Sequence, residues 1–496
     1  MATRAGDTAF FGHPRGLSTL FFTEMWERFS YYGMRALLIL FMTAPTADGG
    51  LGFDTVSAGA VYGLYTAAVY MTTLPGGWIA DRLLGAQAAV LWGGIIIAAG
   101  HFAMAVPSLT TFYLGLALIV IGTGLLKGNV SVIVGRLYAA ADPRRDSAYS
   151  IFYMGINTGS FLAPLVCGYL GQRVNWHAGF AAAGVGMTLG LVQFVLGRRP
   201  LGEAGRAPAT TSPEALAATR RQVMLGSAVL AALLLALWAC IATGLITMGP
   251  TLVADIAGYG LLGITAAFFG WLYLFSSGWT PRERQQLYLI GLLFLGAALF
   301  WSEFEQAGST LNLFADRNTR NEMFGVPFPS SWFQAANALF IIVFAPVFAW
   351  LWVRLARRGL EPTSTGKFGL GLVLVGAGFA TLVIPAMLAA PGTLVSPWWL
   401  IVTYLLHTWG ELALSPVGLS AMSKLAPARI GGLIMGVWFL AASVGNYFGG
   451  RMAAFYESMP LSALFGLVAA TGVGAGLVML AIARVTASLE RSPHGA

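Results

Sequence analysis

Residues 21–42 read FFTEMWERFSYYGMRALLILFM, an apolar run that carries Glu24, Glu27, Arg28 and Arg35 in its interior. A membrane span needs about 20 apolar residues. An ionisable side chain at membrane depth costs roughly 2.5–3.5 kcal/mol on insertion scales. Four such groups in one span therefore require partners or a water-filled cavity. At about 100° per residue, Glu24, Glu27, Arg28, Tyr31 and Arg35 fall within roughly a third of the helix circumference. The first span thus presents a charged stripe to protein or water, not to lipid.

The rest of the chain repeats the apolar theme. Of 496 residues, 57% are hydrophobic and 10% charged, far from the roughly 25% charged of a soluble domain. This is the composition of an all-α polytopic membrane protein, whose main partner is the lipid bilayer. The net charge of +8 is no nucleic-acid signature, because the basic residues sit in short loops between apolar runs. Cys167 and Cys240 both lie inside apolar runs and support neither a disulfide framework nor a metal site. The first run lacks a small-residue cleavage site and reads as a retained span.

Hydropathy predicts fourteen spans: 18–42, 55–80, 87–106, 111–138, 146–170, 176–197, 222–246, 252–278, 286–315, 330–354, 367–389, 397–423, 430–456 and 461–485. Lys and Arg divide unevenly between the two sides. Twenty-one, from Arg4 to Arg491 and including Arg429, fall on one side. Only Arg173, Arg317, Arg320 and Arg451 fall on the other, and Arg28, Arg35 and Lys127 stay within spans. That asymmetry predicts cytoplasmic termini in a multi-pass membrane protein. The longest linker, 198–222, is rich in Pro, Ala, Thr and Arg and predicts a polar connection with a short surface helix at 213–221. The expected organisation is a six-span bundle (1–197), a linker with two additional spans (198–285) and a second six-span bundle (286–496).

Transporters of two related halves bind substrate near the midplane at the interface of the repeats. The buried ionisable residues fall in corresponding spans and separate by sign. Arg28, Arg35 and Lys127 supply cations in the first half; Glu303, Glu305 and Glu411 supply only carboxylates in the second. A cavity with one positive and one negative wall suits a zwitterion, with its carboxylate on Arg28, Arg35 and Lys127 and its ammonium on Glu411. Asn157 and Asn337 add neutral hydrogen-bonding groups. Tyr31, Tyr32, Tyr70, Trp301 and Trp438 offer aromatic walls with polar edges. Each has a plainer reading: Glu24 and Arg28 at i,i+4 neutralise each other, the aromatics anchor or pack, and the asparagines join helices. Glu303 and Glu305 lie about 200° apart and cannot share a face; periodicity does not choose between them. His407, one turn before Glu411, is placed to contact it. None of the five histidines has a partner at metal-ligand spacing. No nucleophile elbow or phosphate loop is present, so neither an enzyme nor a metal centre is expected.

These motifs, taken in order, resemble the proton-dependent oligopeptide transporter family of the major facilitator superfamily, in its bacterial fourteen-span form. Glu24-x-x-Glu27-Arg28 is similar to the family's first-span ExxER motif. Gly77-x-x-x-Asp81-Arg82-x-x-Gly85 resembles the superfamily loop motif. IGTGLLKGNVS around Lys127, FYMGINTGSFLAP (152–164), FWSEFEQAGSTL (300–311) and GELALSPVGLS (410–420) resemble further family motifs.

The resemblance implies a major facilitator fold of two six-helix bundles plus two central helices. It implies proton-coupled symport of di- and tripeptides by alternating access, working as a monomer with no cofactor beyond the coupling proton. It places the peptide carboxylate on Arg35 and Lys127 and the peptide amino terminus on Glu411, Asn337 and Asn157. Proton coupling falls to Glu24, Glu27, Arg28 and Glu305; the last matches the family's seventh-span carboxylate. Tyr32, Tyr70, Trp301, Trp438 and Ser443 match pocket-lining positions, and Lys127 with Glu411 forms the gating pair. Gly128 stands where many relatives have proline, which predicts local loosening of the fourth span. Glu303 has no counterpart. The alternative reading is a superfamily transporter of another small solute: nitrate, a drug or an amino acid.

Overall fold

The computed structural model describes residues 7–139, 142–208, 212–245, 247–389, 393–427 and 430–490. Arg4, Arg429 and Arg491, counted in the charge asymmetry, lie outside them. The described chain is helical almost throughout. Its helices are α1 (Arg15–Thr43), α2 (Thr55–Met71), α3 (Thr73–Ile79), α4 (Ala86–Met104), α5 (Leu109–Arg136), α6 (Arg145–Tyr169), α7 (Trp176–Leu196) and α8 (Pro213–Ala242). There follow α9 (Pro250–Gly270), α10 (Pro281–Phe304), α11 (Thr310–Arg317), α12 (Ala335–Arg357), α13 (Ser364–Leu388), α14 (Trp398–Leu425), α15 (Gly431–Arg451) and α16 (Leu461–Glu490). A two-stranded hairpin pairs β1 (Glu322–Met323) with β2 (Val326–Pro327). Phe324 and Gly325 turn it with φ of 53° and 78°, the left-handed pair that a tight hairpin demands.

All fourteen expected spans are helical. Two of them are broken. The second span divides into α2 and α3 at Thr72. The ninth is interrupted by a 3₁₀ turn, Glu305–Gly308, between α10 and α11. The surface helix expected at 213–221 is instead the first part of α8, continuous with the span that follows. α5 runs unbroken through Gly128. Gly85, which closes the loop motif, has φ +76°, a conformation that only glycine adopts without strain.

Packing forms two compact units that interleave along the sequence. Unit one comprises Met1–Tyr32, Met71–Ser160 and Phe180–Asp255; unit two comprises Gly33–Tyr70, Phe161–Gly179 and Ile256–Ala496. The split passes through α1 between Tyr32 and Gly33. Glu24, Glu27 and Arg28 therefore belong to unit one and Arg35 to unit two.

Small residues set the close helix approaches in both, as expected where lipid supplies no hydrophobic drive between helices. In unit one, a Cβ at Gly76 would lie 2.0 Å from the Gly124 carbonyl oxygen, so α3 and α5 meet backbone to backbone. In unit two, α13 meets α16 through Gly369 and Gly476, where an added Cβ would fall 2.8 and 2.7 Å from the opposing carbonyl.

Candidate proton- and peptide-handling sites

In unit one, the charged stripe of α1 folds in on itself. Arg28 Nε lies 2.9 Å from Glu24 Oε1 and 2.7 Å from Glu27 Oε2. All three residues are buried, Glu27 completely. One guanidinium thus faces two carboxylates, an arrangement with one negative charge in excess. That surplus has company: Glu27 is within electrostatic reach of Lys127 on α5 as well as of Arg28 and Glu24. Glu24 and Arg28 meet because they are one helical turn apart; Lys127 arrives through tertiary packing. The Arg28 guanidinium also lies 5.9 Å from the Tyr31 ring centre, and Tyr31 sets its ring edge-on to half-buried Tyr32. Asn157 is buried on α6, with its amide donating to the Tyr153 carbonyl of its own helix at 2.9 Å.

In unit two, Arg35 is held from two directions. Its Nη2 lies 3.0 Å from Glu305 Oε2, and its Nε donates to the Tyr62 hydroxyl at 2.8 Å. Both members of the ion pair are nearly inaccessible, with side-chain exposures of 5% and 4%. Glu305 opens the 3₁₀ turn that interrupts the ninth span. The break matters chemically, because discontinuous membrane helices gather binding groups at the point of interruption. Gly308 leaves the required space: a Cβ there would lie 1.8 Å from the Tyr62 hydroxyl and 2.9 Å from Arg35 Nε. Beyond the turn, Asn312 donates to the Ala36 carbonyl at 2.9 Å, tying α11 to the second half of α1.

Glu411 on α14 occupies the same neighbourhood. The Asn337 amide nitrogen donates to Glu411 Oε2 and to Thr408 Oγ1, each at 3.0 Å. Glu411 also lies within electrostatic reach of Glu305 and Arg35. Unit two therefore gathers one guanidinium, two carboxylates and an amide. Trp301 packs edge-on to Phe300 and Phe304, and Trp438 is buried where Gly418 leaves room for its ring. The Ser443 hydroxyl is buried and has no hydrogen-bond partner among the described residues. Tyr70 is half-buried near the end of α2.

The two carboxylates of the ninth span part company. Glu303 turns to α16, where Oε1 accepts from the Thr471 hydroxyl at 3.2 Å and the carboxyl fills the hollow left by Gly472. Glu305 alone meets Arg35. His407 packs at a tilt against Phe379, with ring centres 4.9 Å apart, while Glu411 is hydrogen-bonded by Asn337. Sequence reading missed Tyr62, Thr408 and Gly308. Tyr62 lies two turns before Tyr70 on the same helix face, and Thr408 lies three residues before Glu411. Those spacings are the signals for Tyr62 and Thr408; no spacing pointed to Gly308.

A family model described as the POT family matches residues 87–471. The peptide transporter YePEPT of Yersinia enterocolitica is 42% identical, over 92% of this chain and 91% of its own length. A di-/tripeptide transporter of Lactococcus lactis subsp. cremoris is 37% identical over 96% of both chains. The crystal structure of a peptide transporter POT in complex with sulfate superimposes with a TM-score of 0.91 at 43% identity, covering 97% of this chain and 96% of that one. The all-helical architecture is accordingly that of the major facilitator transporters. This chain is a multi-pass membrane protein that belongs to the proton-dependent oligopeptide transporter (POT) family.

Proposed function

We propose that the protein imports di- and tripeptides together with protons by alternating access. The single observation that carries this reading is the buried Arg35–Glu305 pair, 3.0 Å apart. A titratable carboxylate holds the cation expected to read the peptide carboxylate. Protonation of Glu305 removes its charge and releases Arg35 for the ligand, so one proton and one peptide favour the same arrangement. Lys127 assists Arg35 at the peptide carboxylate, and Glu411 with Asn337 and Asn157 receives the ammonium. Tyr32, Tyr70, Trp301, Trp438 and Ser443 line the substrate. Glu24, Glu27 and Arg28 complete the proton-linked group.

In the proposed cycle Lys127 and Glu411 attract each other when no ligand separates them, and a bound zwitterion competes for both. The two six-span halves, 1–197 and 286–496, then move about the ligand. Because the peptide is net neutral, the proton makes uptake electrogenic, at about 2.3 kcal/mol per 100 mV. The 21-to-4 bias of Lys and Arg supports cytoplasmic termini in a bacterial inner membrane, and the protein acts as a monomer. The names of the Yersinia and Lactococcus relatives support peptides as the cargo.

The test is a competition series in proteoliposomes. Labelled dialanine uptake should be displaced by di- and tripeptides with free termini and not by nitrate or free alanine. Displacement by free alanine or nitrate as strong as that by peptide rejects the reading.

A further inference from the structure

One end of unit one carries a groove whose lining includes none of the residues assigned above to peptide or proton. It holds about 770 Å³ between the start of α1 and the end of α7, and Arg15, Trp26, Leu189, Val192, Leu196 and Arg199 line it. The two helices are held close by glycines: a Cβ at Gly190 would lie 2.8 Å from Trp26 Cβ, and one at Gly197 would lie 2.5 Å from Thr19 Oγ1. The groove is therefore a cleft along a tight helix pair.

Two chemistries meet along this cleft. Leu189, Val192 and Leu196 are 46%, 52% and 77% exposed, an open apolar strip. At its end stand Arg15 and Arg199, both exposed. Among the described residues neither guanidinium is in an ion pair. The nearby Asp7 is engaged with backbone N–H groups, at 3.2 Å to Ala9 and 2.9 Å to Arg15. The depth of the groove is informative. Eleven residues separate Arg15 from Trp26, which at 1.5 Å per residue spans about 16 Å. That is half of a hydrocarbon core about 30 Å thick, or one leaflet. Exposed leucines alone would face any lipid tail. Two unpaired guanidinium groups at the head of a leaflet-deep apolar cleft select for a tail that carries a negative headgroup.

We propose that this cleft binds an anionic phospholipid. Its phosphate lies across Arg15 and Arg199, and one acyl chain follows Leu196, Val192 and Leu189 toward Trp26. The site lies wholly within unit one and stands whether or not the peptide reading holds.

Trp26 supplies the probe. The full-length protein is placed in phosphatidylcholine vesicles containing increasing fractions of brominated phosphatidylglycerol or brominated phosphatidylcholine. The Trp26 signal is taken as the difference between the native protein and Trp26→Phe. Brominated phosphatidylglycerol should quench it at a mole fraction roughly thirtyfold lower than brominated phosphatidylcholine, the ratio expected of two basic groups beside an anionic lipid. Arg15→Gln/Arg199→Gln should bring the two lipids together. Equal quenching by both lipids in the native protein overturns the proposal, as does a double variant that keeps the preference. Full displacement of brominated phosphatidylglycerol by inorganic phosphate would mark a free-anion site and also overturn it. Should the double variant fail to fold, the comparison in the native protein alone decides.

Discussion

Glu305→Gln perturbs one charge and little else. The amide keeps the shape of the carboxylate and its carbonyl can still accept from Arg35, while the Tyr62 hydroxyl stays 2.8 Å from Arg35 Nε. What disappears is the buried ionic partner at 3.0 Å. On the proposed mechanism, a peptide carboxylate must displace that partner before it can use Arg35. A hydrogen bond to a charged group contributes about 1.5–3 kcal/mol, so removing the competitor should raise peptide affinity roughly 10- to 150-fold at alkaline pH. Where a proton neutralises Glu305, the same competitor is removed and the gap should close. The assay is calorimetric titration of a hydrolysis-resistant dipeptide into purified protein across pH 5–8. Native affinity should rise as pH falls; that of Glu305→Gln should be flat and high. In proteoliposomes the same variant should lose proton-driven uptake yet retain counterflow exchange. A variant that binds no better than native protein at pH 8, or that keeps the native pH slope, refutes competition between Glu305 and peptide for Arg35.

Other substitutions test other links. Asn337→Ala removes a donor to both Glu411 and Thr408; affinity for peptides with a free amino terminus should fall roughly 5- to 30-fold, while N-acetylated peptides should be unaffected in the same titration. Gly76→Ala forces a Cβ onto the Gly124 carbonyl, whereas Gly77→Ala meets nothing within 4 Å. The first should lose about 1–3 kcal/mol of stability and the second little, as read by thermal unfolding in detergent. His13, just before α1, lies 2.9 Å from the Tyr138 hydroxyl. Burial first, and then the charge of Arg144, lowers its pKa below 6.5. The folded state thus resists a proton that the unfolded chain accepts, so stability is kept above pH 6.5 and falls as pH drops below it. The drop in melting temperature from pH 7.5 to pH 5 should be smaller in His13→Gln.

The spans were legible because each is a hydropathy signal local in sequence. The Glu24–Arg28 contact was legible for the same reason, being one turn long. The break at Glu305–Gly308 was not. Apolar composition continues through it, and the turn is fixed by distant groups: Ser309 Oγ donates to the Gly449 carbonyl at 3.0 Å, and Asn312 reaches α1. The choice between Glu303 and Glu305 was likewise beyond periodicity, which reports two faces but not which helix each face meets. Thr471 and Gly472 on one side and Arg35 and Tyr62 on the other make that choice, from as far as 270 residues away in sequence.

The central claim is that an inward proton gradient drives peptide uphill. Purified protein in tight proteoliposomes, loaded with dialanine at the external concentration, should accumulate labelled dialanine above that level when the outside is made acidic. The accumulation should collapse on addition of a protonophore. Uptake that only equilibrates, or that is the same with and without the gradient, would contradict the account.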